Sequence, residues 1–387
     1  MKIAKLCINT WAYASRDKRE LAACQELGAE VEVFAKGEHT GTEEVVDGFP
    51  VTRISTRPLG EKVPNGLNRV VSLFTWASYM RKQNDIDVIS AYDLIALFIA
   101  WLSNIGKRNK AKLVYDSHEF ELGRARQRSA VTTWFICHLE RFLMKRCAFS
   151  IMVNDDIADE VQRIHHLKKR PIVARNIPQY WQLDAAHTAQ VRQEFLSQLG
   201  LSDSAFLVMY HGGVMEDRGI EQMLEAVAQL PQDVAAIILG NAQTSYPDQL
   251  HTLCKKLNIE SRVLFHQAVP YEELRHYVSA SDVGLVTVLA TYQSYYMMLP
   301  NKFFENIQSM NPVIVSDFPT IGKIVDQYGI GLKVDPTDPK AIADAILRMR
   351  DDRAFYAECK EHLKVAKEEL CWEREKQTLM NAYREIL

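Results

Sequence analysis

The segment Tyr210-His211-Gly212-Gly213-Val214-Met215-Glu216-Asp217-Arg218-Gly219 runs from the end of an apolar stretch into a helical pattern. Its glycines allow a tight turn with close backbone approach, and the helix that follows offers free N–H groups and a positive dipole end to an anion. Arg218 adds a guanidinium that can grip a diphosphate through two N–H groups at once. Taken alone, a glycine-bearing turn between strand and helix is as readily just a turn. A second segment, Leu299-Pro300-Asn301-Lys302-Phe303-Phe304-Glu305-Asn306-Ile307, carries related chemistry. Pro300 suits the first turn of a helix, and Lys302 puts a cation at that helix's positive end, which is locally unfavourable unless an anion sits there. The plain alternative is an exposed ion pair between Lys302 and Glu305, three residues apart, worth roughly a few tenths of a kcal/mol. The third segment, Leu113-Val114-Tyr115-Asp116-Ser117-His118-Glu119, ends an apolar run with a histidine between two acids. Most single histidines are structural, but the carboxyl end of a strand is where α/β sheets bind ligands, so His118 is a candidate.

These segments need elements to hold them. Short apolar runs alternate with amphipathic helical stretches along the chain, the pattern of parallel sheets built from βαβ units. Strands are predicted at 3–8, 30–34, 88–90, 112–115, 151–153 and 171–174, with helices at 17–27 and 94–102. A second series follows at 206–210, 235–239, 263–265, 283–286 and 312–315. Residues 175–183 read as the linker between the series, and the tail from 353 reads as helical, with Trp372 and Tyr383 as anchors. A length of 387 residues exceeds what one hydrophobic core usually serves. The expected fold is therefore α/β, with two doubly wound Rossmann-like domains facing a central cleft. The first spans 1–178, with helix 372–387 packing back on it, and the second spans 190–371.

A net charge of −3 argues against nucleic acid as a partner. Seven cysteines, an odd number without C-x-x-C spacing, read as free thiols in a reducing cytosol. The N-terminus lacks the apolar core of a signal peptide, and no run approaches the roughly 18 apolar residues of a membrane span. The expected location is cytoplasmic. Residues 124–128 hold three arginines ahead of the amphipathic stretch 131–149, which contains Trp134, Phe135, Phe142, Lys145 and Arg146. That stretch is either a core-facing helix with a solvated face or a peripheral contact on the inner face of an anionic membrane.

In combination, the first two segments resemble the donor-binding half of retaining GT-B glycosyltransferases of family four, the glycosyl transferases of group 1. Those enzymes read Gly-Arg-x(4)-Lys-Gly at the first site and carry two glutamates separated by seven residues at the second. Gly219 and Glu305 match, as do residues 269–274 and 280–285. The resemblance implies transfer of a sugar from a nucleoside diphosphate sugar to an acceptor hydroxyl, with retention. It places Glu305 on the ribose hydroxyls and Arg218 where the family's lysine meets the diphosphate. Lys302 and the backbone of Pro300 and Asn301 would lie near the same phosphates, Gly212 and Gly213 would form the turn beneath them, and residues 266–269, through Val269, would line the base. His118 would face the sugar and the acceptor. The family's arginine falls on Gly213 and its first glutamate on Met297, so one phosphate contact and one sugar contact are missing.

In this architecture the loop of residues 9–19, with Arg16, Asp17 and Arg19, borders the acceptor, and Glu119 belongs to the same side. Those charges read equally as the solvated first turn of a helix, and Asp116 and Glu119 as groups that orient loops. Asn176 resembles the family's asparagine at the domain junction and reads as structural. Catalysis is expected from charge stabilisation by Arg218 and Lys302, with no cofactor and no metal. The acceptor would be a saccharide or lipid-linked saccharide, in surface polysaccharide or glycolipid assembly. Two rival readings are a nucleotide-sugar 2-epimerase of the same fold and a non-catalytic subunit that keeps the fold.

Overall fold

In both halves most strands are runs of buried apolar residues bounded by glycine, proline or charged breakers, as expected where helices cover both faces of a parallel sheet. The computed structural model describes residues 1–9, 11, 15–124, 128–242 and 245–386. Residues 10 and 12–14 of the expected acceptor loop, and 125–127 of the arginine run, lie outside the described residues. The chain divides into two compact units, Met1–Arg175 with Glu375–Leu387, and Asn176–Arg374.

The first unit holds strands β1 (Lys2–Cys7), β2 (Glu30–Gly37), β3 (Thr42–Val46), β4 (Phe49–Ser55), β5 (Val88–Ala91), β6 (Lys112–Asp116), β7 (Phe149–Met152) and β8 (Ile172–Val173). Its helices are α1 (Ser15–Glu26), α2 (Asn65–Lys82), α3 (Leu94–Asn104), α4 (Ala130–Met144) and α5 (Asp155–His165). The strands form one sheet in the order β3-β4-β2-β1-β5-β6-β7-β8, parallel except for the β3–β4 hairpin. Asp47 and Gly48 close that hairpin with positive φ at both positions, the conformation a two-residue turn needs to match strand twist. The crossovers β4-α2-β5, β5-α3-β6 and β6-α4-β7 all step in one direction across the sheet, which for the usual right-handed connection puts α2, α3 and α4 on one face, where α3 packs against both α2 and α4.

In the second unit, strands β9 (Phe206–His211), β10 (Val234–Leu239), β11 (Val263–His266), β12 (Val283–Val286), β13 (Val313–Ser316) and β14 (Gly331–Val334) make an all-parallel sheet ordered β11-β10-β9-β12-β13-β14. Around it lie α6 (Ala185–Leu199), α7 (Ile220–Val227), α8 (Tyr246–Leu257), α9 (Tyr271–Ser279), α10 (Gln293–Tyr296), α11 (Asn301–Gln308), α12 (Pro319–Tyr328), α13 (Pro339–Asp351) and α14 (Arg353–Glu369). Helix α15 (Trp372–Arg384) starts in this unit, where the Trp372 N–H donates to the Pro178 carbonyl at 2.9 Å. From Glu375 onward it belongs to the first unit.

Two expectations are corrected. Residues 176–183 of the expected linker are packed onto the second unit: Ile177 is buried with Phe303 and Phe304, and the Trp181 N–H donates to Gln308 Oε1 at 3.0 Å. The helical tail is interrupted at Leu370-Cys371, because the buried Leu370 side chain holds a non-helical backbone (φ −99°, ψ 61°) between α14 and α15.

Candidate active site

Strand order reverses in the second unit between β9 and β12, the topological switch point where open α/β sheets leave a crevice for ligands. Both phosphate-binding candidates meet there. β9 ends at His211, and the turn after it touches two other loops so closely that side chains are excluded. A Cβ at Gly240 would lie 1.8 Å from the Gly212 carbonyl oxygen, and one at Gly219, whose φ is +76°, would lie 1.9 Å from that of Thr287. The Leu289 N–H donates to the Asp217 carbonyl at 3.0 Å, tying this turn to the loop after β12.

Lys302, on the first turn of α11, is buried. Its Nζ sits 3.7 Å from the centre of the Tyr210 ring, with no hydrogen-bond acceptor among the described residues. The ion pair with Glu305 that the sequence allowed is not formed, because Glu305 Oε2 is taken by His211 Nε2 at 2.9 Å. Burial drives the Lys302 ammonium well below its ordinary pKa, and the Arg218 charge pushes it further down, against a smaller pull from Glu305. The Arg218 guanidinium stacks over Tyr295 at 4.9 Å and makes no ion pair among the described residues. Two basic groups that repel when both are charged thus stand at one turn, beside a helix end whose cap, Pro300, contributes no side-chain acceptor. Such an arrangement is costly alone and favourable around an anion.

The other donor-side candidates divide. Gly212 packs toward the Lys302 side chain, and the Gly213 carbonyl accepts from the Tyr210 hydroxyl at 2.6 Å. Asn301 Oδ1 accepts from Asn176 Nδ2 at 2.7 Å. Val269 packs its side chain against the core cluster containing Phe195 and Leu239, which leaves its backbone for any contact with a base. The sequence reading missed His211. The signal was there: a polar residue closing a strand whose other five positions are apolar, just ahead of the glycine pair.

The first unit builds a different site. Lys5, in the middle of β1, is fully buried, and its Nζ faces Asp17 at 2.8 Å, Asp116 at 3.2 Å and Glu20. Arg16 reaches Asp116 Oδ1 at 2.7 Å and the Ala174 carbonyl at 2.6 Å. Ser90 and Tyr383 both donate to Glu20 Oε1, at 2.8 and 2.5 Å. His118 turns Nε2 inward to Asp116 Oδ2 at 3.0 Å and Asp17 Oδ1 at 3.5 Å, and its ring lies 4.2 Å from that of Tyr92.

Three carboxyls face two permanent cations, so the cluster is one proton short. Burial alone would lower the His118 pKa, but Asp116 and Asp17 raise it. Burial, with Asp116 and Asp17, raises Glu20 against the pull of Lys5. Burial would raise Asp116 too, yet Arg16 and Lys5 hold it well below the usual carboxylate range.

This corrects the acceptor-loop expectation. α1 begins at Ser15, so Arg16, Asp17 and Arg19 are helix residues, and Arg16 and Asp17 are consumed in positioning His118. Glu119 is exposed and pairs with Arg124 at 3.0 Å. Asp17, Asp116 and His118 bring three ligand atoms within 4.8 Å. The donor set does not fit a divalent ion, because Lys5 and Arg16 already lie on the same carboxylates and would repel it.

The raised native pKa has a measurable consequence. His118 stabilises the fold fully below its unfolded value of about 6.5, and that contribution fades as pH rises through the native value. Asp17→Asn is expected to lower the native pKa in an NMR titration of the ring. An unmoved titration would mean that Asp17 plays no part in holding the charge.

The sequence pattern described as "Glycosyl transferases group 1" matches residues 191–365, within the second unit, and that of the "Glycosyl transferase 4-like domain" matches 13–176, in the first. The chain is a glycosyltransferase. It is 23% identical over 370 residues to an uncharacterised glycosyltransferase of Methanocaldococcus jannaschii, covering 91% of this chain and 90% of that protein. Against a D-inositol 3-phosphate glycosyltransferase of Xylanimonas cellulosilytica it is 22% identical, over 93% of this glycosyltransferase and 88% of the relative. Its fold is that of Anabaena HepE, solved in complex with UDP, with a TM-score of 0.77 at 18% identity and complete coverage of both chains.

Proposed function

We propose that this glycosyltransferase moves a sugar from a nucleoside diphosphate donor to an acceptor hydroxyl, with the donor held by the second unit. The observation that carries the reading is the buried Lys302 ammonium without an acceptor, beside Arg218 at the Gly212 turn. A diphosphate supplies the missing anion. Glu305 keeps Oε1 for a ribose hydroxyl while His211 fixes Oε2. That Anabaena HepE is solved with UDP supports a nucleotide of this class.

In the reaction, the bond from the anomeric carbon to the β-phosphate oxygen breaks with both electrons leaving on the diphosphate. The acceptor oxygen bonds the same carbon, and its proton passes to the departing phosphate. Lys302 and Arg218 offset the charge that grows on that phosphate, the role a divalent ion would otherwise fill, so we assign no metal. Retention follows from the family resemblance. The acceptor, a saccharide or lipid-linked saccharide, is assigned to the first unit, on the side of the His118 ring, whose pKa Asp116 and Asp17 raise against the effect of burial.

The test is a thermal-shift screen against UDP, GDP, ADP, TDP and CMP, with Glu305→Ala alongside. One diphosphate is expected to raise the melting temperature of the wild type and to shift the variant less. A response to no nucleotide overturns the donor site. Turnover of the matching sugar nucleotide without acceptor, giving an epimerised sugar, would replace transfer by epimerisation.

A further inference from the structure

We propose that the outer face of α2, α3 and α4 docks the first unit onto an anionic lipid bilayer. On α2, Leu67, Val70 and Phe74 form a stripe, each more than half exposed. Val131, Trp134 and Phe135 do the same on α4. α3 packs between the two helices, with Ile95 exposed on its outer side and Trp101 edge-on to Phe142 of α4 at 5.2 Å. Single exposed apolar side chains are ordinary, but two stripes on α2 and α4, with Ile95 exposed on the helix packed between them, make a surface of the kind that binds something.

Charge identifies the occupant. α2 and α3 contain no acidic residue, and the one on α4, Glu140, is buried against Tyr115 and His165. The carboxyl ends instead carry cations: Arg81 and Lys82 in the last turn of α2, Lys107, Arg108 and Lys110 after α3, Lys145 and Arg146 after α4, while Asp85, in the loop after α2, is paired with Lys2 at 2.8 Å. Complementing a helix dipole accounts for a cation at each carboxyl end, but not for the lack of exposed acids across three helices in a chain of net charge −3. The face stops at α5, whose first turns carry Asp155, Asp156, Asp159 and Glu160.

A second copy of the chain would bring two cation-bordered faces together, which repels. A bilayer supplies both halves of the match, an acyl boundary for the stripes and anionic headgroups for the rim. The aromatic side chains suit that boundary. Trp134 stacks on His138 at 4.2 Å, and the Arg146 guanidinium lies 3.5 Å over the Phe142 ring, so apolar surfaces carry polar ends.

The experiment is co-sedimentation of the whole chain with phosphatidylcholine vesicles containing or lacking phosphatidylglycerol, at about 0.1 M salt, where screening acts over about 10 Å. Binding to the anionic vesicles is expected, falling on the order of tenfold in a Trp134→Ser, Phe135→Ser double variant and again in Lys145→Glu, Arg146→Glu, because partition follows buried apolar area and rim charge. Both variants change exposed residues and should melt like the wild type. Failure to bind anionic vesicles overturns the proposal, as does binding that both variants leave unchanged. So does a self-association in gel filtration that the Trp134, Phe135 variant abolishes, since a second copy would then cover the face. Nucleotide binding by the second unit is read without vesicles, so failure of one proposal is distinguishable from failure of the other.

Discussion

Lys302→Met should lower turnover of the donor by at least about 10²-fold, the scale for losing one group that stabilises transition-state charge. The same substitution should make the unliganded protein more stable. Lys302 is buried against Tyr210 with no acceptor, and methionine fills similar space without a charge to desolvate. Loss of the cation–π contact, worth about 0.5–2 kcal/mol, offsets part of that gain. The expected net is a rise on the order of 1 kcal/mol in unfolding free energy, read in urea, together with a collapse in rate. Opposite signs in the two measurements mark a group kept for a ligand. A variant less stable than the wild type that turns over normally would make Lys302 a structural residue and remove the phosphate site. Because the native pKa is lowered, binding a diphosphate should also draw a proton onto Lys302 at pH values between that lowered value and the ordinary 10.5. Calorimetry in buffers of different ionisation heat detects the uptake.

Lys5→Met should act oppositely. Among the described residues, Lys5 is the one that pairs with Asp17, Glu20 and Asp116 together, and all three carboxyls lie inside the first unit. Breaking a buried charge pair by removing one partner typically costs about 3–5 kcal/mol, a large share of the 5–15 kcal/mol that holds a domain folded. The pH dependence has a definite sign. In the wild type, Asp17 and Asp116 have lowered pKa values, so their contribution is present above the unfolded value and is lost as pH falls through the native ones. Without Lys5 those carboxyls are held as acids more readily, and the variant recovers stability as the medium becomes acidic. The difference between the two proteins should therefore be larger at pH 8 than at pH 5 in urea unfolding. A loss under about 1 kcal/mol at both pH values would mean that water or Arg16 already neutralises the cluster.

Much of the fold is legible in the sequence because buried parallel strands are written as apolar runs. The hairpin of β3 and β4 was not found by that rule, since Thr42–Val46 is almost wholly exposed and carries two glutamates. Its own signal, Asp47-Gly48 between two extended runs, is turn chemistry rather than hydrophobicity. The Gly212 turn and Lys302 stood out as candidates for a related reason: glycines and a cation at helix starts break local rules, and broken rules tend to mark sites. The charge cluster of the first unit was not legible. Lys5 looks like an ordinary polar residue in β1, and its partners come from residues 17, 20 and 116, which only the fold brings together. Arg16 and Asp17 were visible, but no local pattern tells a solvated helix start from one turned into a core.

Tyr383 completes that cluster from α15, donating to Glu20 and packing edge-on to Phe149 at 5.2 Å. Arg175 and Glu375 are 200 positions apart in the chain, and on a ribosome that stretch must be made before this helix is complete. At about 5–20 residues per second, that is roughly 10–40 s during which the strands of the first unit are present without their last partner. The second unit is whole by Arg374, so it can finish folding first although it is translated second, and a nascent chain arrested before residue 383 leaves the Glu20 carboxyl without its phenolic donor.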